Sequence, residues 1–400
     1  MKLNRIFLLA MIAVFSFGFL EAAIKIKGQK ASESATNNYG GMDFQKNIDL
    51  DNDEKFAGWK TNKDINPQGS PNAEKGGMIT ILGGAEYPPT FRRIGKDTRL
   101  QILGLLSDLQ YETLLSFDYE NLVWSPSLAT HWKISSDSLT YWFRLDPQAR
   151  WADGREIIAE DVIASFKLLV DDGHGDPNVS ASWNDLFKIP VAESKYIIRV
   201  TAKKKDWRTF QQFAWLYVMP SNYLNKVDGA GYVEKYDFTF MPGSGAYEYD
   251  KENSKKGNEG YIVLKRRENY WAADHIKNLG KYNYDKIKFI FIEDENQQVI
   301  SFMNGDYDIY PWSRAQWWVE RFNDDYEQIE NGWVQKIKIF NFLPKGPSGL
   351  VFNTQKEPYD NVNIRKALTY LFDVDILNKR LFFNEYIRLN TYFYGTPYAN

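Results

Sequence analysis

The most constraining feature of this chain is the segment from Ser125 to Phe166, in which a strand signal, two turns and a helix signal follow one another. A period of two predicts a half-buried strand. It is formed by Leu139, Tyr141, Phe143 and Leu145, which alternate with Thr140, Trp142 and Arg144. Turns are predicted at Asp146-Pro147 and at residues 151–154. Helical spacing follows in the apolar residues Val162, Phe166, Leu169 and Val170, with Gly173 beyond the end. The segment therefore predicts strand, turn and helix in that order.

The start of the predicted helix lacks the usual cap. Ser or Thr commonly stands just before the first helical residue and accepts hydrogen bonds from the free N–H groups. Ile158 occupies this position, and its side chain cannot accept a hydrogen bond. We therefore expect a weak helix start, although Glu160 and Asp161 fall in the first turn, where negative charge is favourable.

The N-terminus predicts export from the cytoplasm. A charged start at residues 1–5 precedes an apolar run at residues 6–20, which is the layout of a secretory signal peptide, here assigned to residues 1–23. This run is too short to predict a membrane span. The chain has no cysteine, so disulfides, thiolate metal sites and lipid attachment through cysteine are excluded. We expect a soluble periplasmic protein that is stabilised by its core alone.

The charge distribution argues against nucleic acid as a partner. Formal net charge is −3 and the basic residues are spread along the chain, whereas phosphate-backbone binding requires a basic patch. Aromatic residues make up 16% of the chain, with 13 Trp and 25 Tyr. Such a content is typical of proteins that bind extended ligands by flat contacts, and it also fits packing in a large core. Trp151, Tyr217 and Tyr247 are expected to serve packing.

Residues for catalysis or metal binding are scarce. The three histidines, His131, His174 and His275, lack metal-binding spacing. The acidic segment 171–176 lacks the spacing of a calcium loop, and a polar turn is the simpler interpretation. The sequence contains neither a nucleophile elbow nor a phosphate-binding loop. We expect no enzyme, no metal and no cofactor, with carbohydrate hydrolysis by a carboxylate pair as the alternative.

Several motifs occur in the order that characterises one protein family. Within residues 125–166 the matching residues are Pro126, Leu128, Ala129, Trp132, Arg144, Leu145, Trp151, Asp153, Gly154, Ala159, Glu160, Asp161 and Val162. Further matches lie at residues 242–247, 262–271, 302–310, 351–354 and 359–368. Strands are predicted at residues 78–82 and 261–266, and helix spacing is present from Leu100 to Leu115. A later helix is predicted with Ile364, Ala367, Leu368 and Leu371 on one face. Over most of residues 76–385 the chain resembles the peptide and nickel branch, family 5, of the periplasmic solute-binding proteins of ABC transporters, and especially its oligopeptide-binding subgroup.

This resemblance implies an α/β fold with two lobes, mixed sheets, a hinge between the lobes and an extra small domain inserted in the first lobe. The expected divisions are the signal peptide at 1–23, an extended lead-in at 24–75, lobe I at 76–115 and 205–295, the inserted domain at 116–204 and lobe II at 296–400. The family pattern also implies that part of lobe II follows Asn400, together with the Asp that usually holds the peptide amine.

The function implied by the resemblance is the capture of peptides. Relatives hold an extended peptide between two lobes through main-chain hydrogen bonds and deliver it to an ABC permease and its ATPase in the inner membrane. A monomer is expected. Nickel or haem as ligand would leave the fold unchanged, and two other functions stay open, the secreted carbohydrate-active hydrolase and a ligand-sensing co-receptor.

The resemblance selects six ligand-binding candidates, which are Arg92, Arg93, Gly95, Glu295, Trp312 and Asn353. The first three belong to residues 86–97, where relatives approach the peptide after the opening strand. Glu295 follows the expected crossover strand, Trp312 belongs to an expected aromatic wall, and Asn353 belongs to an expected strand facing the ligand. The structural alternatives are a solvated basic loop, a surface charge and core packing.

Overall fold

The computed structural model describes residues 58–119, 121–257, 259–311, 314–339, 349–389, 391 and 393–396. The expected signal peptide, the lead-in before residue 58 and Trp312 lie outside these residues. The described residues divide into a first unit, residues 58–301 and 306–308, and a second unit, residues 302–305 and 309–396. The division into lobes and an inserted domain at the boundaries given above stays a prediction.

The described strands all lie in the first unit, and the described helices lie in both units. The strands are β1 Met78–Gly84, β2 Leu115–Asp118, β3 Val123–Pro126, β4 Ala129–Ile134, β5 Thr140–Leu145, β6 Val191–Ala192, β7 Ile197–Thr201, β8 Tyr247–Tyr249, β9 Tyr261–Arg266 and β10 Lys286–Phe291. The helices are α1 Gln101–Gln110, α2 Ala159–Val170, α3 Pro177–Leu186, α4 Trp207–Ala214, α5 Ser221–Leu224, α6 Gly229–Lys235, α7 Glu295–Asn304, α8 Ala315–Glu320, α9 Glu327–Glu330, α10 Val362–Leu371 and α11 Val374–Leu381.

The first sheet joins strands from distant parts of the chain, in the order β1-β10-β9-β8. β1 and β10 are parallel, with Met78 beside Lys286 and Leu82 beside Ile290, and the other pairs are antiparallel. Ile79 and Ile81 of β1 are buried, and α1 packs against β1 and β8. The strands expected after Gly76 and at residues 261–266 are therefore confirmed.

The second sheet, in the order β4-β5-β7-β6, contains the strand expected at residues 139–145. Tyr141, Phe143 and Leu145 of β5 are buried, which confirms the period of two. Arg144 was expected on the opposite, more polar face, yet it is also buried, and its guanidinium donates to the Thr130 hydroxyl at 2.6 Å. The helix expected after this strand is α2.

The start of α2 is stabilised from inside the helix. The Asp161 carboxylate accepts a hydrogen bond from the N–H of Ile158 at 2.9 Å, which is half of a capping box. The same carboxylate accepts hydrogen bonds from the N–H of Ser221 at 2.7 Å and the indole of Trp151 at 3.3 Å. The weak start expected from Ile158 is thus offset, because one buried carboxylate joins the helix to two other segments.

Helix α1 is shorter than the apolar spacing from Leu100 to Leu115 indicated. It ends at Gln110, and the chain is extended at Tyr111. The carbonyl groups of Thr113 and Leu114 accept hydrogen bonds from the N–H groups of Leu128 and Ala129. These long-range bonds satisfy the backbone outside a helix, so the prediction for residues 111–115 was wrong.

The described part of the lead-in pairs with the second sheet. Lys60 and Trp132 exchange two backbone hydrogen bonds, at 2.7 and 2.9 Å. The Thr61 hydroxyl donates to the carbonyl of Thr130 at 2.8 Å. Ile65 packs with Ile276 in a small separate cluster. Residues 60–65 are therefore attached to the first unit by specific contacts.

The second unit contains short helices and an aromatic cluster of Phe302, Tyr310 and Phe322. The helix expected with Ile364, Ala367, Leu368 and Leu371 on one face is α10, and the Asn361 side chain caps it. Residues 351–353 were expected to form a strand, and the structure has irregular backbone there. Within the described residues, no helix is both long enough and apolar enough to cross a membrane.

A buried carboxylate follows β5 in the turn at Asp146. One oxygen accepts the N–H of Gln148 at 2.8 Å, and the other is buried without a partner among the described residues. Burial raises the pKa of Asp146 to about 6, against the lowering effects of that hydrogen bond and of Arg144 and Arg150, while Glu112 raises it further.

We expect Asp146 to make folding stability pH-dependent. Its pKa in the fold lies above the ordinary value, so the stability it contributes is present below about pH 4 and is lost as pH rises through about 6. The free energy of unfolding of Asp146→Asn should exceed that of the unsubstituted protein. The difference should grow as pH rises, to about 3 kcal/mol at pH 7. Urea unfolding from pH 4 to 7 measures this difference, and a constant difference would contradict it.

Candidate functional site

The carboxyl ends of β1 and β10 lie at the same edge of the first sheet because the two strands are parallel. In open α/β sheets, ligands bind outside the carboxyl ends of the strands. At this edge residues 85–100 leave β1, and the N–H of Ile292, just after β10, donates to the carbonyl of Gly84 at 3.1 Å. The candidate site consists of the end of β1 and residues 85–100, which we call the β1–α1 connection.

One edge of β1 is open near its carboxyl end. The N–H and carbonyl of Thr80 both bond to Asp308, each at 2.8 Å, so they point away from β10. Main-chain groups of alternate residues in a strand point in the same direction, and those of Leu82 must therefore point outward as well. Among the described residues, no backbone hydrogen bond outside the sheet ladder involves Leu82. Within the described part of the chain its donor and acceptor have no backbone partner, which makes them candidates for pairing with a ligand.

Glycines shape the end of β1 immediately after this open position. A side chain on Gly83 would bring Cβ to 2.7 Å from Cε1 of Phe291. Gly84 has a φ of +143°, which L side chains rarely adopt, and the register with β10 shifts between Leu82 and Gly84. The strand therefore bends directly after Leu82, where the β1–α1 connection begins.

Aromatic packing fixes the first half of the connection. The Tyr87 ring lies 5.3 Å from the ring of Phe291 at the end of β10. Phe91 is buried and stacks on Phe240 at 4.9 Å, with Tyr249 at 5.3 Å. Burial also raises the pKa of the Tyr87 phenol, so it stays neutral. These contacts tie the connection to β10 and β8.

Arg92 holds the middle of the connection from inside. Its side chain is buried, and its guanidinium donates to the carbonyls of Ile94 and Lys96 at 3.3 and 3.2 Å and to the Asp237 carboxylate at 3.3 Å. The structure therefore places Arg92 within the β1–α1 connection, where it orients the backbone. Its described polar contacts are with the protein itself.

Gly95 allows the connection to pack against the turn at residues 172–174. It has a φ of +98°, and a Cβ there would collide with the carbonyl oxygen of His174. The same carbonyl accepts a hydrogen bond from the N–H of Lys96 at 3.0 Å. Gly95 thus sets the position of the backbone and offers no side chain to a ligand.

Arg93 contacts other residues than its neighbour Arg92 does. Its guanidinium carbon lies 5.0 Å from the centre of the Tyr217 ring. The Tyr217 hydroxyl donates to the carboxylate of Asp108 in α1. Burial raises the pKa of Asp108, whereas that hydrogen bond and the charge of Arg93 lower it. Sequence reasoning assigned Tyr217 to packing alone and did not select Asp108, because the three residues meet only in the fold.

The other three candidates belong to other segments of the chain. Glu295 is half-buried at the first position of α7. Asn353 belongs to the second unit, where its side chain accepts the N–H of Gln355 at 3.1 Å. Trp312 lies outside the described residues. The ligand-binding roles of these three residues stay predictions. Over the part of the chain that is described, no group of three His, Asp or Glu residues could hold a metal ion.

Comparison with family models identifies the chain. Residues 123–400 match the bacterial extracellular solute-binding proteins, family 5, middle region. Because this match covers more than half of the chain, the protein belongs to that family, as the ordered motifs indicated. The family comprises substrate-binding proteins and is not an enzyme family.

Two bacterial relatives carry names that refer to binding. The chain is 25% identical over 332 residues to YejA of Agrobacterium fabrum, named a probable peptide-binding protein, with 82% of this chain and 52% of the relative covered. It is 25% identical over 265 residues to the peptidoglycan-binding protein YepA of the same organism, with 64% of this chain and 41% of that one covered. The chain therefore spans about half the length, or less, of these curated relatives.

Solved structures show the same fold. The oligopeptide-binding protein AppA from Bacillus subtilis, in complex with a nonapeptide, has a TM-score of 0.55 at 18% identity, over 78% of this chain and 57% of that one. NikA from Brucella suis, in complex with Fe(III)-EDTA, has a TM-score of 0.59 at 19% identity, over 79% and 58%. The two-lobe α/β fold of periplasmic binding proteins, expected from the sequence, is confirmed.

We expect Gly95→Ala to destabilise the protein more than Gly154→Ala. Both glycines have positive φ, +98° and +83°, but a Cβ at Gly154 would meet no atom within 4 Å. The control should lose about 1 kcal/mol of unfolding free energy from backbone strain alone. Gly95→Ala should lose about 2 kcal/mol or more, since the collision with His174 adds to the strain. Equal losses in chemical unfolding would show that close packing of the connection is unimportant.

Proposed function

We propose that this chain is part of a binding protein that captures oligopeptides in the periplasm and delivers them to an ABC permease and ATPase in the inner membrane. Family membership supports the solute-binding role. The relative named for peptide binding and the nonapeptide complex of AppA support peptides as the ligand class. The proposal includes secretion by a cleaved signal peptide, a monomeric state and release of the ligand without turnover.

The observation that carries this proposal is the open main chain of Leu82 at the candidate edge. A peptide can add to such an edge as a further strand, with its own N–H and carbonyl groups bonded to the protein backbone. Main-chain pairing contacts only the peptide backbone, so it suits a protein that carries peptides of many sequences. Asp308 already occupies the corresponding groups of Thr80, because its carboxylate accepts from the Thr80 N–H and its backbone N–H donates to the Thr80 carbonyl. The docking segment is therefore limited to the last part of β1.

The two alternatives predict different outcomes with the same ligand. A carbohydrate-active hydrolase would cleave its substrate, whereas a binding protein returns its ligand unchanged. A ligand-sensing co-receptor would bind as a carrier does, but it would signal through a membrane partner instead of supporting uptake. Recovery of intact ligand distinguishes a binding protein from the hydrolase, and a transport assay distinguishes a carrier from the co-receptor.

We expect Leu82→Pro to weaken peptide binding by about five-fold, which corresponds to one lost main-chain hydrogen bond of about 1 kcal/mol. Proline removes the outward N–H and is tolerated where that group faces away from the sheet. The measurement is calorimetric titration of the purified protein, freed of bound ligand, with a pool of tri- to pentapeptides.

Leu82→Ala provides the control, because it removes the same side chain and keeps the N–H. Its affinity should stay within about two-fold of the unsubstituted protein, since the ligand is proposed to use the backbone. Equal affinities for Leu82→Pro and Leu82→Ala would exclude pairing at this position. Failure of the unsubstituted protein to bind any peptide, or recovery of sugars or peptidoglycan fragments as copurified ligand, would overturn the proposed ligand class.

A further inference from the structure

The connection between β7 and α4 carries a dense positive charge. Residues 203–208 include Lys203, Lys204, Lys205 and Arg208, and Asp206 is the only acidic residue among them. The four basic side chains are all exposed. The whole chain, by contrast, has a net charge of −3. A short segment therefore presents a positive surface on a slightly acidic protein.

Backbone pairing brings a fifth cation to this segment. The N–H of Lys188 donates to the carbonyl of Thr201 at 2.9 Å, and the N–H of Lys203 donates to the carbonyl of Leu186 at 2.8 Å. The Lys203 ammonium donates to the carbonyl of Asn184, an acceptor without charge. Lys188 is also exposed. We define the Lys–Trp surface by Lys188, Lys203, Lys204, Lys205, Trp207 and Arg208.

Two carboxylates interact with cations of the Lys–Trp surface. The Arg208 guanidinium donates to both oxygens of Asp206, at 3.0 and 2.6 Å. These hydrogen bonds lower the pKa of Asp206, and the charge of Lys204 lowers it further. Hydrogen bonds within the β4–β5 turn lower the pKa of Asp137, and Lys205 adds a smaller effect. Both carboxylates therefore stay ionised and offset part of the positive charge.

An indole is exposed in the middle of this charge. Trp207 is the first residue of α4 and is 82% exposed, whereas tryptophan is mostly buried in folded proteins. Its ring lies 6.0 Å from the guanidinium carbon of Arg208. Next to it, Asp185, Lys204 and Arg208 help to line a depression of about 270 Å³ between the end of α3 and the start of α4. With Asp185 included, five cations stand against three carboxylates.

We propose that the Lys–Trp surface binds the anionic phospholipid headgroups of a membrane surface. Basic side chains are attracted to anionic headgroups, and tryptophan favours the boundary between headgroups and acyl chains. Protein interfaces are enriched in tryptophan but depleted in lysine, so four lysines around one exposed indole favour a lipid partner. The inference goes beyond the proposed function, since it requires a periplasmic location but no peptide ligand.

The test is sedimentation of the purified protein with vesicles of equimolar phosphatidylglycerol and phosphatidylcholine, compared with vesicles of phosphatidylcholine alone. Binding to the anionic vesicles should be about ten-fold or more tighter. The difference should vanish in about 1 M salt, where the Debye length falls to about 3 Å.

Two double variants test whether the charge of this surface is responsible. Replacing Lys204 and Lys205 together by Gln should weaken binding to anionic vesicles by about ten-fold. The matched control replaces Lys235 and Lys251 by Gln, because both are exposed and lie outside the Lys–Trp surface. It removes the same total charge and should change binding by about two-fold or less.

A matched pair at Trp207 tests insertion of the indole. Trp207→Phe keeps an apolar ring and should bind anionic vesicles within about two-fold of the unsubstituted protein, whereas Trp207→Ala should bind about five-fold or more weakly. Brominated phospholipids quench tryptophan fluorescence on contact. The emission that they quench in the unsubstituted protein should be lost in Trp207→Phe although binding is kept. Thermal unfolding of each variant confirms that it is folded.

Failure to bind anionic vesicles would overturn the inference and would favour an acidic protein surface as the partner. Equal losses in the two double variants would also overturn it, because the attraction would then depend on total charge. Peptide titration of the same preparation keeps the two proposals apart. Binding of peptide without vesicles leaves the proposed function standing, and binding of vesicles without peptide leaves this inference standing.

Discussion

Parallel pairing of β1 with β10 is the interaction on which the candidate site depends. The two strands are separated in sequence by most of the first unit, and their register brings Leu82 beside Ile290. Closing so long a loop is entropically costly, and the burial of residues such as Ile79, Ile81 and Phe289 offsets that cost. The pairing places both carboxyl ends at one edge, and among the described residues the outward main-chain groups of Leu82 have no backbone partner.

The β1–α1 connection shows how a polar binding surface can be held without regular secondary structure. Aromatic rings fix its start to the end of β10, Arg92 fixes its middle through three internal acceptors, and Gly95 fixes its approach to the turn at His174. Each contact uses atoms that face the protein. The main chain of Leu82, which faces away from β10, is the group proposed to meet the ligand.

Local features of this fold could be predicted from the sequence, and long-range ones could not. The alternation in β5 and the apolar spacing in α2 are local, so both elements were predicted. The backbone of residues 113–114 pairs with residues 128–129, and this distant contact ended α1 earlier than its spacing indicated. Arg92 and Arg93 are identical neighbours in sequence, yet one is buried and bonded while the other is held over Tyr217. Only the tertiary partners distinguish their roles.

The central claim, that a ligand pairs with the open edge of β1, is tested most directly by hydrogen exchange at single amides. The N–H of Thr80 is already bonded to Asp308, so its exchange should change little when peptide is added. The N–H of Leu82 should exchange about ten-fold or more slowly in the peptide-bound protein, because bonded amides exchange only after local opening. Unchanged exchange at Leu82 in a protein saturated with peptide would contradict the account.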